Sequence, residues 1–174
     1  DSQRGESFEV WRNRARARLL ETLLVPPPRT AFNAQVIARE SRDHYEARKL
    51  VIQISADNRI PAYLLVPEGE GPFPAVLALH DHGAHFSIGK EKVVRPFDVS
   101  NEMKMDAQQW TSENYGGRFI GDELARQGYV VLAIDALHWG ERGVKDGVAY
   151  QEQQRLSANL LQLGMTWSGV ITWD

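Results

Sequence analysis

The 174 residues contain no cysteine. That excludes disulfides, thiolate metal ligation and a cysteine nucleophile. Nowhere does the chain reach the ~18 consecutive apolar residues of a membrane-spanning helix, so a helical span is excluded. The opening Asp-Ser-Gln-Arg-Gly-Glu has no apolar stretch of the kind that forms the middle of a secretory signal. A signal already removed would leave the same trace, so the compartment stays open. Excess positive charge is also missing: the net charge is −3, which argues against a dedicated nucleic-acid binder. The chain has no internal repeat and no low-complexity segment.

What is present suits a packed domain. Hydrophobic residues make up 43% and charged residues 25%, enough apolar material for a real core and too little charge for wholesale disorder. The charge is uneven, with a basic excess in the first fifty residues carried mostly by Arg12, Arg14, Arg16 and Arg18. Arginines two apart fall on different sides of a helix, which reads as a solvated helical surface.

Phe8, Trp11, Ala15, Leu19 and Leu23 recur at spacings of three and four. They predict an amphipathic helix from Ser7, its N-cap, to Leu24, stopped by Pro26-Pro27-Pro28. Residues 29–43 are polar without clear periodicity and read as a linker wrapping the main domain. The expected division is therefore 1–43, helix and linker, and 44–174, an α/β domain. Two strand-like runs, His44–Ser55 and Ile60–Val66, flank a short turn at Asp57-Asn58 and read as an antiparallel edge pair. Ala75–Leu79 is apolar throughout, which predicts a strand in the middle of a covered sheet. An irregular stretch from His80 to Gly117 follows. A helix over Arg118–Gln127, stopped by Gly128, then leads into a second buried strand, Tyr129–Asp135. Strand, loop, helix, strand is a parallel crossover, so the fold class is α/β. A further helix is expected over Tyr150–Leu163, and another is expected to begin near Trp173.

The densest chemistry is His80-Asp81-His82-Gly83-Ala84-His85, at the C-terminal end of a buried strand. In open α/β sheets ligands bind at that end. One reading is a zinc site of His80, His82 and His85, since zinc accepts three imidazoles plus water. It is similar to the His-x-His-x-Asp-His motif of metallo-β-lactamase-like hydrolases, with Ala84 standing where that motif has aspartate. The other reading is an oxyanion loop, whose backbone N–H groups face the oxygen that becomes negative during acyl transfer. Gly83 lets such a loop turn sharply and approach a substrate closely. Asp135 ends the second strand and reads as a cap for the loop after it. Lys90-Glu91-Lys92 reads as a solvated turn.

Four segments together carry a family likeness. They are Ile60–Pro67, Phe73–Gly83, Leu124–Asp135 and Trp139–Gly143. In order and spacing they resemble the N-terminal half of an α/β-hydrolase of the dienelactone hydrolase/acetyl xylan esterase group, and the N-terminal helix resembles the extension of its larger, often bacterial, members. The resemblance implies an esterase sheet with an antiparallel edge pair, then parallel strands with a crossover helix, preceded by a helical extension. It places the loop's oxyanion N–H at His82, the third loop residue, with Gly83 as the second choice, and implies a pocket lined by His85, Trp139 and Arg142. It implies a small-molecule ester as substrate and no cofactor.

The family's nucleophile sits in Gly-x-Ser-x-Gly. None of the nine serines here lies in that pattern. The nearest approach, Gly164-Met165-Thr166-Trp167-Ser168-Gly169, has the wrong left-hand offset and follows a helix. The expectation is an N-terminal portion of a serine hydrolase, inactive by itself. Its serine, acid and histidine would lie elsewhere, and the remainder of the domain, in the same or a second chain, would be its partner. Such a sheet would have about four strands and an open edge. The alternative is a non-catalytic hydrolase-like module that binds a ligand or protein. The N-terminal helix could also serve a homo-oligomer.

Overall fold

The computed structural model describes residues 5–23, 28–144 and 149–173. They form two compact units, one drawn from residues 1–28 and 150–174 and one from 29–149.

The first unit is helical. Helix α1 spans Phe8–Leu23, and the Val10 N–H donates to Ser7 Oγ at 3.4 Å, the expected N-cap. The expected helix forms, but it presents no buried apolar face: none of its residues is buried, and Phe8, Trp11 and Leu19 are exposed, Phe8 at 69%. Pro26 and Pro27, two of the three prolines expected to stop the helix, lie outside the described residues. Residues 150–173 belong with α1 rather than with the sheet.

The second unit is a five-stranded sheet. Strands β1 (Gln35–Arg42), β2 (Tyr45–Gln53), β3 (Arg59–Pro67), β4 (Ala75–Ala78) and β5 (Val130–Ile134) lie in the order β1-β2-β3-β5-β4. β1, β2, β3 and β5 pair antiparallel, and β4 pairs parallel to β5. The crossover between those two carries α2 (Asn101–Asn114) and α3 (Ile120–Arg126). The mixed α/β sheet and its parallel crossover are as expected.

Three features differ from the sequence reading. Residues 35–42 are a strand, not linker, so the division at residue 43 cuts the sheet. The β2/β3 pair accordingly lies one strand in from the edge. The inward positions of β1 are Ala38, Glu40 and Arg42, so charge conceals the period of two. Arg42 is buried because its Nη1 meets Asp122 Oδ1 at 2.8 Å and its Nη2 donates to the Arg95 carbonyl. Second, β4 ends the strand order instead of sitting centrally, and Leu77 and Leu79 are 58% and 69% exposed. Third, the long polar stretch contains α2, capped by Ser100 Oγ accepting from the Met103 N–H. Its buried Ala107 and Thr111 are few among glutamines and glutamates, so its helical period is faint.

Side chains alternate across the sheet. Tyr45, Ala47, Tyr63, Leu65, Val131 and Ala133 pack on one face with Val93, Val94, Phe97 and Ala125. Leu50, Ile52, Ile60 and Ala62 cluster on the other. After α4 (Ala149–Gln162), helix α5 spans Trp167–Trp173. The helix expected to begin near Trp173 thus begins at Trp167 and includes Trp173, and Asp174 lies outside the described residues. No helix among the described residues is long and apolar enough to cross a membrane.

Candidate active site

The segments after β4 and β5 meet at one end of the sheet. His80 ties them: its Nε2 accepts the Ala136 N–H at 3.0 Å and its Nδ1 donates to the Asp81 carbonyl at 2.8 Å. An Nε2 that accepts an N–H leaves the ring neutral with its proton on Nδ1, and burial pushes its pKa down. Both nitrogens are therefore occupied by backbone groups.

The next residues turn sharply, with Gly83 at φ +51° and Ala84 at φ +52°. A Cβ on Gly83 would lie 2.6 Å from both Trp110 Cζ2 and Asp81 Oδ1, so only glycine fits this turn over the indole. His82, Gly83 and Ala84 are exposed. Among the described residues the Gly83 N–H has no hydrogen-bond partner.

The underside of the loop is firmly held. Lys92 Nζ lies 3.1 Å from the Asp81 carbonyl and 3.1 Å from the His82 carbonyl, and sits 4.7 Å over the Trp110 ring. The Trp139 Nε1–H donates to the His82 carbonyl at 3.3 Å. Tyr115 donates its hydroxyl to Asp81 Oδ2. Burial raises the Asp81 pKa, but that hydrogen bond and the Lys92 charge outweigh it, leaving the carboxyl below its usual range. Burial pushes the Lys92 ammonium down.

Trp139 is buried, packed on Phe86 at 4.7 Å and edge-on to His82 at 5.0 Å. Arg142 donates from Nη1 to the Asp135 carbonyl at 2.8 Å. His85 stacks on Trp110 at 5.0 Å, and its Nε2 faces Asp106 Oδ1 at 2.6 Å and Ser87 Oγ at 3.1 Å. Ser87, His85 and Asp106 thus come together without forming a relay. The same ring nitrogen faces both partners, and Ser87 donates its proton to Asp106 Oδ2 at 2.5 Å. Nor do His80, His82 and His85 converge. Among the described residues, the one group of potential ligands lying within 4.8 Å of one another is Glu91, Asp135 and Glu141.

That carboxylate group is what the sequence reading missed. Lys90, Glu91 and Lys92 are 0% exposed, not a solvated turn. The Lys90 ammonium sits among the carboxylates, with Nζ 2.7 Å from Asp135 Oδ2, from Glu141 Oε2 and from Glu91 Oε1, the last out of line for a hydrogen bond. A cation thus already fills the place where a metal would bind. Asp135 Oδ1 also accepts the Lys90 N–H at 2.6 Å, and its Oδ2 accepts the Glu141 N–H at 3.2 Å. The cap expected of Asp135 is real and reaches a second loop as well. Burial pushes Lys90 down, but the three carboxylates overcome it and raise its pKa. Burial raises Glu91, whereas Glu141, drawn to Lys90 and to Lys49 at 2.8 Å, is lowered. The sequence signal was Gly89, where a Cβ would collide with Asp135 Oδ1.

Comparison with known proteins agrees with this architecture. The model of the Abhydrolase family matches residues 2–173. YtaP of Bacillus subtilis (strain 168), provisionally named a hydrolase, is 28% identical over 152 residues, covering 85% of this chain and 43% of its own. A crystal structure from Bacteroides fragilis NCTC 9343, of a protein provisionally named an acetyl xylan esterase, superposes with a TM-score of 0.72. That match has 19% identity and covers 95% of this chain and 41% of that one, so it bears on the fold alone. The chain therefore spans about two fifths of the length of these relatives. Across nearly all of its length it belongs to the Abhydrolase family, with an α/β-hydrolase fold.

Proposed function

We propose that this chain supplies the oxyanion loop and part of the pocket of a serine hydrolase acting on carboxylic esters. In that reaction a serine Oγ attacks the ester carbonyl while a histidine takes its proton. The carbonyl electron pair moves onto oxygen, and collapse of this tetrahedral intermediate expels the alcohol, which receives the proton. Water then cleaves the acyl-enzyme by the same route. The His82 and Gly83 N–H groups would hold the oxyanion. His85 would stand at the pocket rim, with Trp139 and Arg142 behind the loop.

The observation that carries this reading is the exposed Gly83 amide. It has no partner among the described residues, in a turn only glycine can make, just beyond the C-terminal end of β4. Nucleophile, acid and histidine would come from outside these 174 residues. No serine here stands in Gly-x-Ser-x-Gly, and the Ser87–His85–Asp106 cluster is wired differently.

The test is the intact denatured mass of every polypeptide in the purified protein, before and after a fluorophosphonate probe. One probe on a serine outside this sequence, with loss of ester hydrolysis, is the expected result. A protein that neither reacts nor hydrolyses esters would instead favour a non-catalytic binding module.

A further inference from the structure

We infer that Lys92 is the positioning residue of the oxyanion hole, aiming two successive amides by holding the carbonyls on their far sides. The inference rests on the oxyanion reading of the loop and adds what sets its geometry.

In a trans peptide the carbonyl of one residue and the N–H of the next point in opposite directions. Lys92 Nζ holds the Asp81 and His82 carbonyls, each at 3.1 Å, from the buried side of the loop. The amides belonging to those two peptides are the His82 and Gly83 N–H groups, which must then point away from Lys92. One ammonium therefore orients two donors. Two further contacts keep it there, Asp81 Oδ1 at 3.6 Å and the Trp110 ring at 4.7 Å, and the residue is completely buried. An unpaired ammonium in such surroundings is costly, so the two carbonyls are its required solvation. Trp139 adds a second donor to the His82 carbonyl, whereas the Asp81 carbonyl depends on Lys92 and on the His80 ring. Lys92 touches no reacting atom in this scheme. It acts by fixing where the amides aim before substrate arrives, the preorganisation on which oxyanion stabilisation depends.

The test uses the intact protein that carries this chain, with Lys92→Met to remove the donors and Lys92→Gln to keep one neutral donor. Amide residual dipolar couplings report the His82 and Gly83 N–H directions, and hydrolysis of p-nitrophenyl acetate reports the chemistry. In the wild type both N–H vectors should lie antiparallel to carbonyls that face Lys92; any other orientation overturns the inference without a variant. Lys92→Met should move both couplings and lower kcat about 10²–10³-fold, the scale of losing an oxyanion donor. KM should stay within about twofold, because ground-state binding is spared. Lys92→Gln should fall between, and it carries the test if Lys92→Met does not fold. Unmoved couplings, or an unchanged kcat, overturn the inference while leaving the esterase reading in place. A wild-type protein inert toward both the ester and a fluorophosphonate overturns the esterase reading, and the inference falls with it.

Discussion

His82-Gly83-Ala84 and Lys90-Glu91-Lys92 belong to the same polar stretch after β4, and the structure treats them oppositely. The first is exposed, while the second, with three charges in a row, is 0% exposed. Charge in a sequence therefore does not mark the surface when countercharges arrive from distant strands and loops. Lys90 is buried because Asp135, at the end of β5, and Glu141, in the following turn, both meet its ammonium. Lys92 is buried because two carbonyls of the exposed segment solvate it. The buried segment underlies the exposed one, with Lys92 reaching its carbonyls.

The largest way to break this contrast is Lys90→Met, which leaves Asp135 and Glu141 without their shared cation. Removing one partner of a buried pair costs about 3–5 kcal/mol, so urea unfolding should show a loss of that size. A loss below about 1 kcal/mol would mean that the segment is solvated after all. Gly89→Ala comes next. Its Cβ would strike Asp135 Oδ1, and an ion-paired carboxylate cannot easily yield, so overpacking should cost about 1–3 kcal/mol in the same assay.

A pH titration sharpens the contrast further. Burial raises the Glu91 pKa, so the folded chain keeps a proton that the unfolded chain releases. Stability should then be greatest below the unfolded value of about 4.3 and fall as pH rises from there through the folded pKa. For this one group the slope is at most about 1.4 kcal/mol per pH unit. Glu91→Gln should remove that slope, whereas parallel stability curves for variant and wild type would refute an upward shift at Glu91. The smallest effect is expected at the exposed segment. His85→Ala loses a partly exposed hydrogen bond to Asp106, worth about 1 kcal/mol or less, and should only perturb hydrolysis. Complete loss of activity together with loss of a bound zinc ion would restore the three-histidine reading.

How legible the molecule is in its sequence follows the same division. Strands with apolar alternation, the crossover order and the loop after β4 can be read directly, because periodicity reports burial by hydrophobic partners. β1 cannot, since its inward positions include the half-exposed Glu40 and the charged Arg42, which is buried by an ion pair with Asp122 eighty residues along the chain. The buried Lys90 cluster is hidden for the same reason. Its partners Asp135 and Glu141 are forty-five and fifty-one residues away, and no local pattern links them. His82 and Gly83 were legible as candidates, but Lys92, ten residues from the carbonyl it holds, was not. Glycine is the partial exception: Gly83 signals a tight turn in any context, and Gly89 hints at a crowded neighbour.

The most direct test of the account is a crystal structure of the protein phosphonylated by a fluorophosphonate. The account predicts the phosphonyl oxygen about 2.7–3.1 Å from the His82 and Gly83 amide nitrogens, the range of an occupied oxyanion hole. A phosphonyl oxygen held by other donors, with this loop turned away, would contradict it.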